Sequence, residues 1–130
     1  MTEMPDPTAA KPLVMVVDDD QAVADVLAAR LGRHFRLVST TDPRRAVELA
    51  AQRRPDVILC DIDMAGMNGD EVVFALSEDD RTQAIPVIYL TQLLSDGEPD
   101  GLGETFGDCP VLPKTASTQE LVDAIAAVLR

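Results

Sequence analysis

The chain has 130 residues, 46% of them hydrophobic, and a formal net charge of −12 at pH 7. This length suits one domain with a substantial core, and no apolar run approaches the roughly 18 residues that span a membrane. The acidic balance argues against nucleic-acid binding, because contacts with phosphates need clustered Lys and Arg.

The first twelve residues, MTEMPDPTAAKP, are polar, carry three prolines and lack the apolar core of a signal peptide. We therefore expect a disordered lead-in over residues 1–11, one domain over residues 12–130 and a cytoplasmic location. Neither Cys60 nor Cys109 has metal-ligand spacing, and Cys60 lies in an apolar run typical of a buried side chain.

Apolar runs alternate with helical patterns in the first half of the chain. Residues 13–17 are continuously apolar, as in a strand covered on both faces, and the amphipathic stretch after them predicts a helix capped by Asp20. Residues 36–40 predict a second strand. The next helix is expected to have Asp42 as its cap and Pro43 at its first position.

The same alternation continues in the second half. Residues 56–60 predict a third strand, and a helix at about residues 70–78 follows a pliable turn. Residues 85–91 and 110–113 predict the fourth and fifth strands. A last helix follows, because the spacing of Ser117 and Glu120 is that of a capping box.

The segment 92–108 fits a regular helix poorly, because it holds four of the seven glycines and Pro99. Each interior glycine costs about 1 kcal/mol relative to alanine. We expect a short turn of helix at 103–106 or an irregular loop. Together, the patterns predict an α/β fold: a doubly wound, five-stranded parallel sheet with helices on both faces and an irregular or shortened fourth helix.

Polar side chains follow the carboxyl ends of the predicted strands, where the functional crevice of an open parallel sheet lies. In chain order they are Asp18, Asp19 and Asp20, then Asp61, Thr91 and Lys114. Two carboxylates about 4 Å apart repel by about 4 kcal/mol at an effective dielectric constant of about 20, so three of them must hold a proton or bind a cation.

Oxygen ligands of this kind suit Mg²⁺, which often shares its shell with a phosphoryl group. An aspartate beside the ion could accept that group, with Thr91 to hydrogen-bond and Lys114 to neutralise charge.

Four motifs, each at a strand end, support this chemistry: VMVVDDD, DVILCDIDMAGMNGDE, PVIYLT and VLPK. Together they resemble the response-regulator receiver domain of bacterial two-component signalling, from about Pro12 to Arg130. The resemblance implies a flavodoxin-like strand order of 2-1-3-4-5. It makes Asp61 the phosphoacceptor and Thr91 and Lys114 the groups that stabilise the phosphoryl group. The Mg²⁺ shell that it implies comprises Asp18, directly or through water, Asp19, Asp61 and the backbone carbonyl of Asp63.

Three positions depart from the family pattern. Ala65 replaces a proline in the phosphorylation loop, and Thr115 replaces the proline that usually follows the lysine. A cis bond before a non-proline residue costs about 2.5–4 kcal/mol, so we expect a trans bond here and a displaced Lys114. Val111 occupies the position of the family's aromatic switch residue, and a valine has no ring to swing between buried and exposed positions.

The resemblance implies a receiver that takes a phosphoryl group from a histidine kinase or phosphotransfer protein and signals to a downstream protein by contact. We expect it to stand alone, and a receiver cut from a hybrid kinase or a longer regulator is left open. It would not be an enzyme beyond self-catalysed, Mg²⁺-dependent phosphotransfer and slow autodephosphorylation. No nucleic acid or membrane is expected as a partner, and a homodimer is left open.

Three alternatives remain. The Asp-x-Asp motif of Asp61 and Asp63 resembles the nucleophile motif of haloacid-dehalogenase-type phosphatases, although that motif normally follows the first strand and only 69 residues remain after Asp61. A flavodoxin-like FMN carrier would need a phosphate loop where three aspartates stand. A docking module that works without phosphorylation is the third, and Val111 and Thr115 favour it.

Overall fold

The computed structural model describes residues 11–62, 64, 67–91, 105–106 (backbone only) and 109–129. The strands are β1 (Leu13–Val17), β2 (Arg36–Thr40), β3 (Val57–Asp61), β4 (Val87–Thr91), β5 (Thr105–Phe106) and β6 (Cys109–Pro113). The helices are α1 (Gln21–Leu31), α2 (Ala46–Arg53), α3 (Gly69–Ser77) and α4 (Thr118–Leu129), and a 3₁₀ turn (Pro43–Arg45) precedes α2.

The strands form one sheet in the order β2-β1-β3-β4-β6-β5. The first five strands in this order are parallel. Because β6 is the fifth long strand along the chain, this confirms the predicted order 2-1-3-4-5. The last strand in this order, β5, has two residues and pairs antiparallel with β6 at the edge of the sheet. Residues 105 and 106, where a short helical turn or an irregular loop was expected, therefore form a strand. Residues 92–104, where the irregular fourth helix was predicted, lie outside the described residues, as do residues 1–10.

Alternate residues of each central strand enter two different cores, because successive side chains point to opposite faces of a sheet. One core packs Val16, Leu59 and Leu90 against α1 and α4. The other packs Val17, Cys60 and Tyr89 against α2 and α3. Helices therefore cover both faces, as predicted. Among the helices in the described part of the chain, none is long and apolar enough to cross a membrane.

Local capping signals set most helix starts. The Asp20 side chain accepts a hydrogen bond from the Ala22 amide at 2.9 Å and begins α1, as predicted. Asp42 also acts as a cap, but it begins the 3₁₀ turn, and the α-helix starts only at Ala46. The helix predicted at about 70–78 begins one residue earlier, at Gly69.

The predicted capping box begins α4. The Ser117 amide donates to Glu120 Oε1 at 2.8 Å, and the Glu120 amide donates to Ser117 Oγ at 3.1 Å. The hydrogen bond from Ser117 lowers the pKa of the Glu120 carboxyl below its usual value. Two amides at the helix start are therefore satisfied reciprocally.

Replacing Ser117 by alanine tests this cap. We expect S117A to lower the free energy of unfolding by about 1 kcal/mol, because one amide loses its acceptor. Urea denaturation followed by circular dichroism measures the loss. The neighbouring exposed variant Q119A should change stability by less than about 0.5 kcal/mol. Equal effects of the two variants would contradict the capping role.

Candidate functional site

The carboxyl ends of β1, β3 and β6 bring Asp18, Asp61 and Lys114 together, although these residues are far apart in the sequence. Strand register does this: Val17 pairs with Cys60 across β1 and β3, and Thr91 pairs with Pro113 across β4 and β6. Asp18 and Asp61 are 1% and 4% exposed. Two carboxylates are thus buried where the sheet ends, as the sequence predicted.

The Lys114 ammonium lies between these two carboxylates. Its Nζ is 2.9 Å from Asp18 Oδ2 and 3.2 Å from Asp61 Oδ2. Burial lowers the pKa of Lys114, but the hydrogen bonds and charges of Asp18 and Asp61 outweigh that effect and raise the pKa above its usual value. The ammonium is therefore charged at neutral pH.

The expected displacement of Lys114 does not occur. No cis peptide bond is present among the described residues. The Lys114 amide instead donates to the Thr91 carbonyl at 2.8 Å, which extends the β4–β6 pairing past the end of β6. This hydrogen bond holds the lysine at the sheet edge even though threonine follows it.

Asp18, Asp19 and Asp61 form the one acidic cluster with metal-binding geometry that we find in the described parts of the chain. Each offers a carboxylate oxygen, and these oxygens lie within 4.8 Å of one another. Lys114 contributes one ammonium to this cluster of three carboxylates. Asp18 Oδ2 is buried, and Lys114 is the one partner that we find for it among the described residues.

A set of three carboxylates that includes a buried oxygen of this kind fits a hard divalent cation such as Mg²⁺. The Asp18 side chain is also held in place, because its Oδ1 accepts a hydrogen bond from the Asp20 amide at 2.9 Å. The donor set present therefore fits the ion that the sequence predicts.

The other predicted site residues are placed as follows. Thr91 is 3% exposed and ends β4 beside Lys114. Asp20 is exposed and caps α1. Asp63, predicted as a carbonyl ligand, lies outside the described residues, as does Ala65. Val111 is buried in the core between the sheet and helices α2 and α3.

Two features beside the site were not predicted. Gly69 begins α3 against the end of β3: a β-carbon built on it would lie 2.7 Å from the Asp61 carbonyl oxygen and 3.0 Å from Tyr89 Cε1. Its amide donates to the Ile62 carbonyl at 2.7 Å. Only glycine allows this approach, and the Asn-Gly pair after the loop is the sequence signal that could have indicated it.

The second feature is Tyr89, the residue that pairs with Val111 across β4 and β6. The tyrosine is 2% exposed, and burial raises the pKa of its hydroxyl. Cys60 is also fully buried; burial, followed by the charges of Asp61 and Asp18, raises the pKa of its thiol. Both side chains are therefore neutral core groups.

Comparisons with known proteins match most of the chain. A family model described as Response regulator receiver domain matches residues 14–126. Protein PilH of Pseudomonas aeruginosa is 36% identical over 118 residues, which is 89% of this chain and 96% of PilH. Response regulator PleD of Caulobacter vibrioides is 41% identical over 88 residues, which is 67% of this chain and 19% of PleD.

The crystal structure of Vibrio cholerae chemotaxis protein CheY4 is similar in fold, with a TM-score of 0.76 at 26% identity. The match covers 92% of this chain and 100% of that one.

Replacing Lys114 by methionine tests the ion pairs. We expect K114M to lower the free energy of unfolding at pH 7 by about 2–3 kcal/mol, because two buried carboxylates lose their counter-charge. Urea denaturation in EDTA measures the loss. K11M, which replaces the chain's other lysine, is the control. Similar effects of both variants would contradict the counter-charge role.

The difference in stability between wild type and K114M depends on pH in a defined way. Because the folded-state pKa of Lys114 is raised, its stabilising effect is fully present below the ordinary value of 10.5 and is lost as the pH rises through the folded-state value. The stability difference between wild type and K114M should therefore be constant from about pH 7 to 9 and shrink above about pH 10.5.

Proposed function

The chain belongs to the response regulator receiver domain family, and from this we propose that it accepts a phosphoryl group on Asp61 from a histidine kinase or a phosphotransfer protein. The observation that carries the proposal is the Lys114 ammonium, which lies 2.9 Å from Asp18 and 3.2 Å from Asp61 in a cluster of three carboxylates. The proposed nucleophile, an ammonium and three carboxylates that could hold a metal ion thus lie at one edge of the sheet.

Asp61 is the nucleophile in this proposal. A carboxylate oxygen of Asp61 forms a bond to phosphorus while the bond between phosphorus and the donor's histidine nitrogen breaks, and that nitrogen takes up a proton. Lys114 pairs with the phosphoryl oxygens, and the Thr91 hydroxyl hydrogen-bonds to them. The same group of residues supports slow loss of the phosphoryl group to water, so the protein is a phosphoacceptor and not a turnover enzyme.

Asp18, Asp19 and Asp61 would hold Mg²⁺, together with the backbone carbonyl of Asp63. When bound, the ion neutralises charge that develops on the transferring phosphoryl oxygens. Asp61 is ready for transfer only when its repulsion with Asp18 and Asp19 is offset, and Lys114 contributes one positive charge to this cluster of three carboxylates. This charge imbalance is the reason to expect that phosphorylation depends on the ion.

The signal then passes to a downstream protein by contact, and the partners in two-component signalling imply action in the cytoplasm. Family membership favours this over the phosphatase and FMN-carrier alternatives. The second candidate remains a docking module that works without phosphorylation. Val111 favours that alternative, because it is buried at the switch position and has no ring to reorient.

Phosphodonor treatment separates the two candidates. With acetyl phosphate and Mg²⁺, we expect intact-mass spectrometry to detect an added phosphoryl group of about 80 Da on the wild type and none on D61N. D123N, which changes an exposed aspartate on α4, should still gain the group. No adduct on the wild type would favour the docking module, and an adduct on D61N would place the acceptor elsewhere.

Replacing Asp19 tests the metal-binding set separately from the nucleophile. The exposed Asp19 can change with little effect on the core, so we expect D19N to fold normally. Its Mg²⁺ concentration for half-maximal phosphorylation should rise at least about tenfold, because one charged ligand is lost. The matched control is D25N on α1. An unchanged Mg²⁺ dependence in D19N would remove Asp19 from the ligand set.

A further inference from the structure

The solvent-facing side of α3 exposes a large apolar side chain. Phe74 is 66% exposed, the largest exposed fraction of any large hydrophobic residue in the described regions. It lines a shallow groove of about 560 Å³ with Met67, Asp70, Glu71 and Ala75. We call these five residues the α3 groove. A single exposed apolar residue is common on protein surfaces, so the residues around Phe74 determine whether it marks a binding site.

Carboxylates surround the ring along the helix. Asp70 and Glu71 precede Phe74 by four and three residues, and Glu78 follows it by four. These spacings put them on the same helix face as Phe74. None of the three forms an ion pair with a residue that the structure describes. The sequence has no basic residue between Arg54 and Arg81, so the α3 groove has an acidic rim.

Helix stability does not account for an exposed phenylalanine with carboxylates on both sides of it along the helix. Asp70 and Glu71 suit the helix N-terminus, but Glu78 stands at the C-terminal cap, where a negative charge opposes the helix dipole. Phenylalanine has a lower helix propensity than Ala, Glu or Lys, any of which would serve an exposed position better. Glu71 accepts a hydrogen bond from the Asn68 amide in a capping box, but Phe74 and Glu78 stand where folding alone does not require them.

A second exposed aliphatic residue provides a contrast. Val26 on α1 is 53% exposed and lies in a groove of about 230 Å³ on the opposite side of the sheet. Two cations, Arg30 and Lys114, line that groove. Cations disfavour a basic ligand there, whereas the α3 groove attracts one. The two grooves thus select ligands of opposite charge.

We propose that the α3 groove is a docking surface for a basic amphipathic helix of a partner protein. One large apolar side chain of that helix packs on Phe74 and Met67, and its Lys or Arg residues pair with Asp70, Glu71 and Glu78. An apolar groove is the surface on which such a helix lays its apolar face, and methionine adapts to different side chains. The docking goes beyond phosphotransfer and does not require a phosphoryl group on Asp61.

The test uses the full chain and a synthetic peptide of about 18 residues, long enough for five helical turns. The peptide consists of leucine and lysine with one tryptophan, arranged so that one helical face is apolar and the other basic. Isothermal titration calorimetry measures its affinity, and chemical-shift changes map its site. A second peptide with glutamate in place of lysine tests the role of charge.

We expect the basic peptide to shift the resonances of Met67, Phe74 and Ala75, and F74A to bind it at least about tenfold more weakly. E78Q should weaken binding several-fold and reduce its salt dependence. V26A, the matched exposed-aliphatic control, should bind within about twofold of wild type. Because Phe74 is exposed, F74A should keep the wild-type circular dichroism spectrum.

Any one of four results would overturn the proposal. The first is that F74A binds as tightly as wild type, and the second is that V26A loses as much affinity as F74A. The third is that the acidic peptide binds as well as the basic one. The fourth is a dimer for wild type and a monomer for F74A in sedimentation velocity without peptide, which would mean that a second copy of this chain occupies the groove.

Discussion

Repulsion among carboxylates at the edge of the sheet is the constraint on which the rest of this structure depends. Asp18 and Asp61 are buried at the ends of neighbouring strands, where uncompensated charge is costly. Lys114 offsets part of that cost from the end of β6. The parallel sheet makes the arrangement possible, because the register of its strands brings the three strand ends to one edge. The two apolar cores hold the strands in place.

The residues that connect the carboxylate cluster with the rest of the fold differ from those that the family pattern implies. Val111 stands where an aromatic switch is usual, but its cross-strand partner, Tyr89, supplies a buried ring. That ring lies against Gly69, the first residue of α3, whose amide is bonded to the loop after Asp61. The end of β3, the ring and the start of α3 are therefore in direct physical contact, and α3 carries the groove proposed for docking.

Much of this molecule could be predicted from its sequence because the signals were local. Apolar runs defined the long strands, and the spacing of Ser117 and Glu120 defined the start of α4. The convergence of Asp18, Asp61 and Lys114 followed from parallel topology alone, since the carboxyl ends of parallel strands share one edge. Their proposed roles rest on the motif resemblance, which the family comparison supports at the level of the whole domain.

The features that escaped prediction depend on contacts between distant segments. The strand at 105–106 forms only because β6 offers an edge for pairing, which no local pattern of glycines reveals. The 3₁₀ turn after Asp42 and the close approach of Gly69 to Tyr89 are likewise decided by packing against the sheet. The displacement expected for Lys114 was wrong because one backbone hydrogen bond to Thr91 holds the lysine in place.

The free energy of unfolding as a function of Mg²⁺ concentration tests the central claim most directly. If the cluster needs a divalent cation, stability at constant ionic strength should rise with the logarithm of Mg²⁺ concentration above the dissociation constant, by about 2.7 kcal/mol at a hundredfold excess over it. Equal stability in EDTA and in saturating Mg²⁺ would mean that the three carboxylates are balanced without a divalent cation. That result would contradict the account.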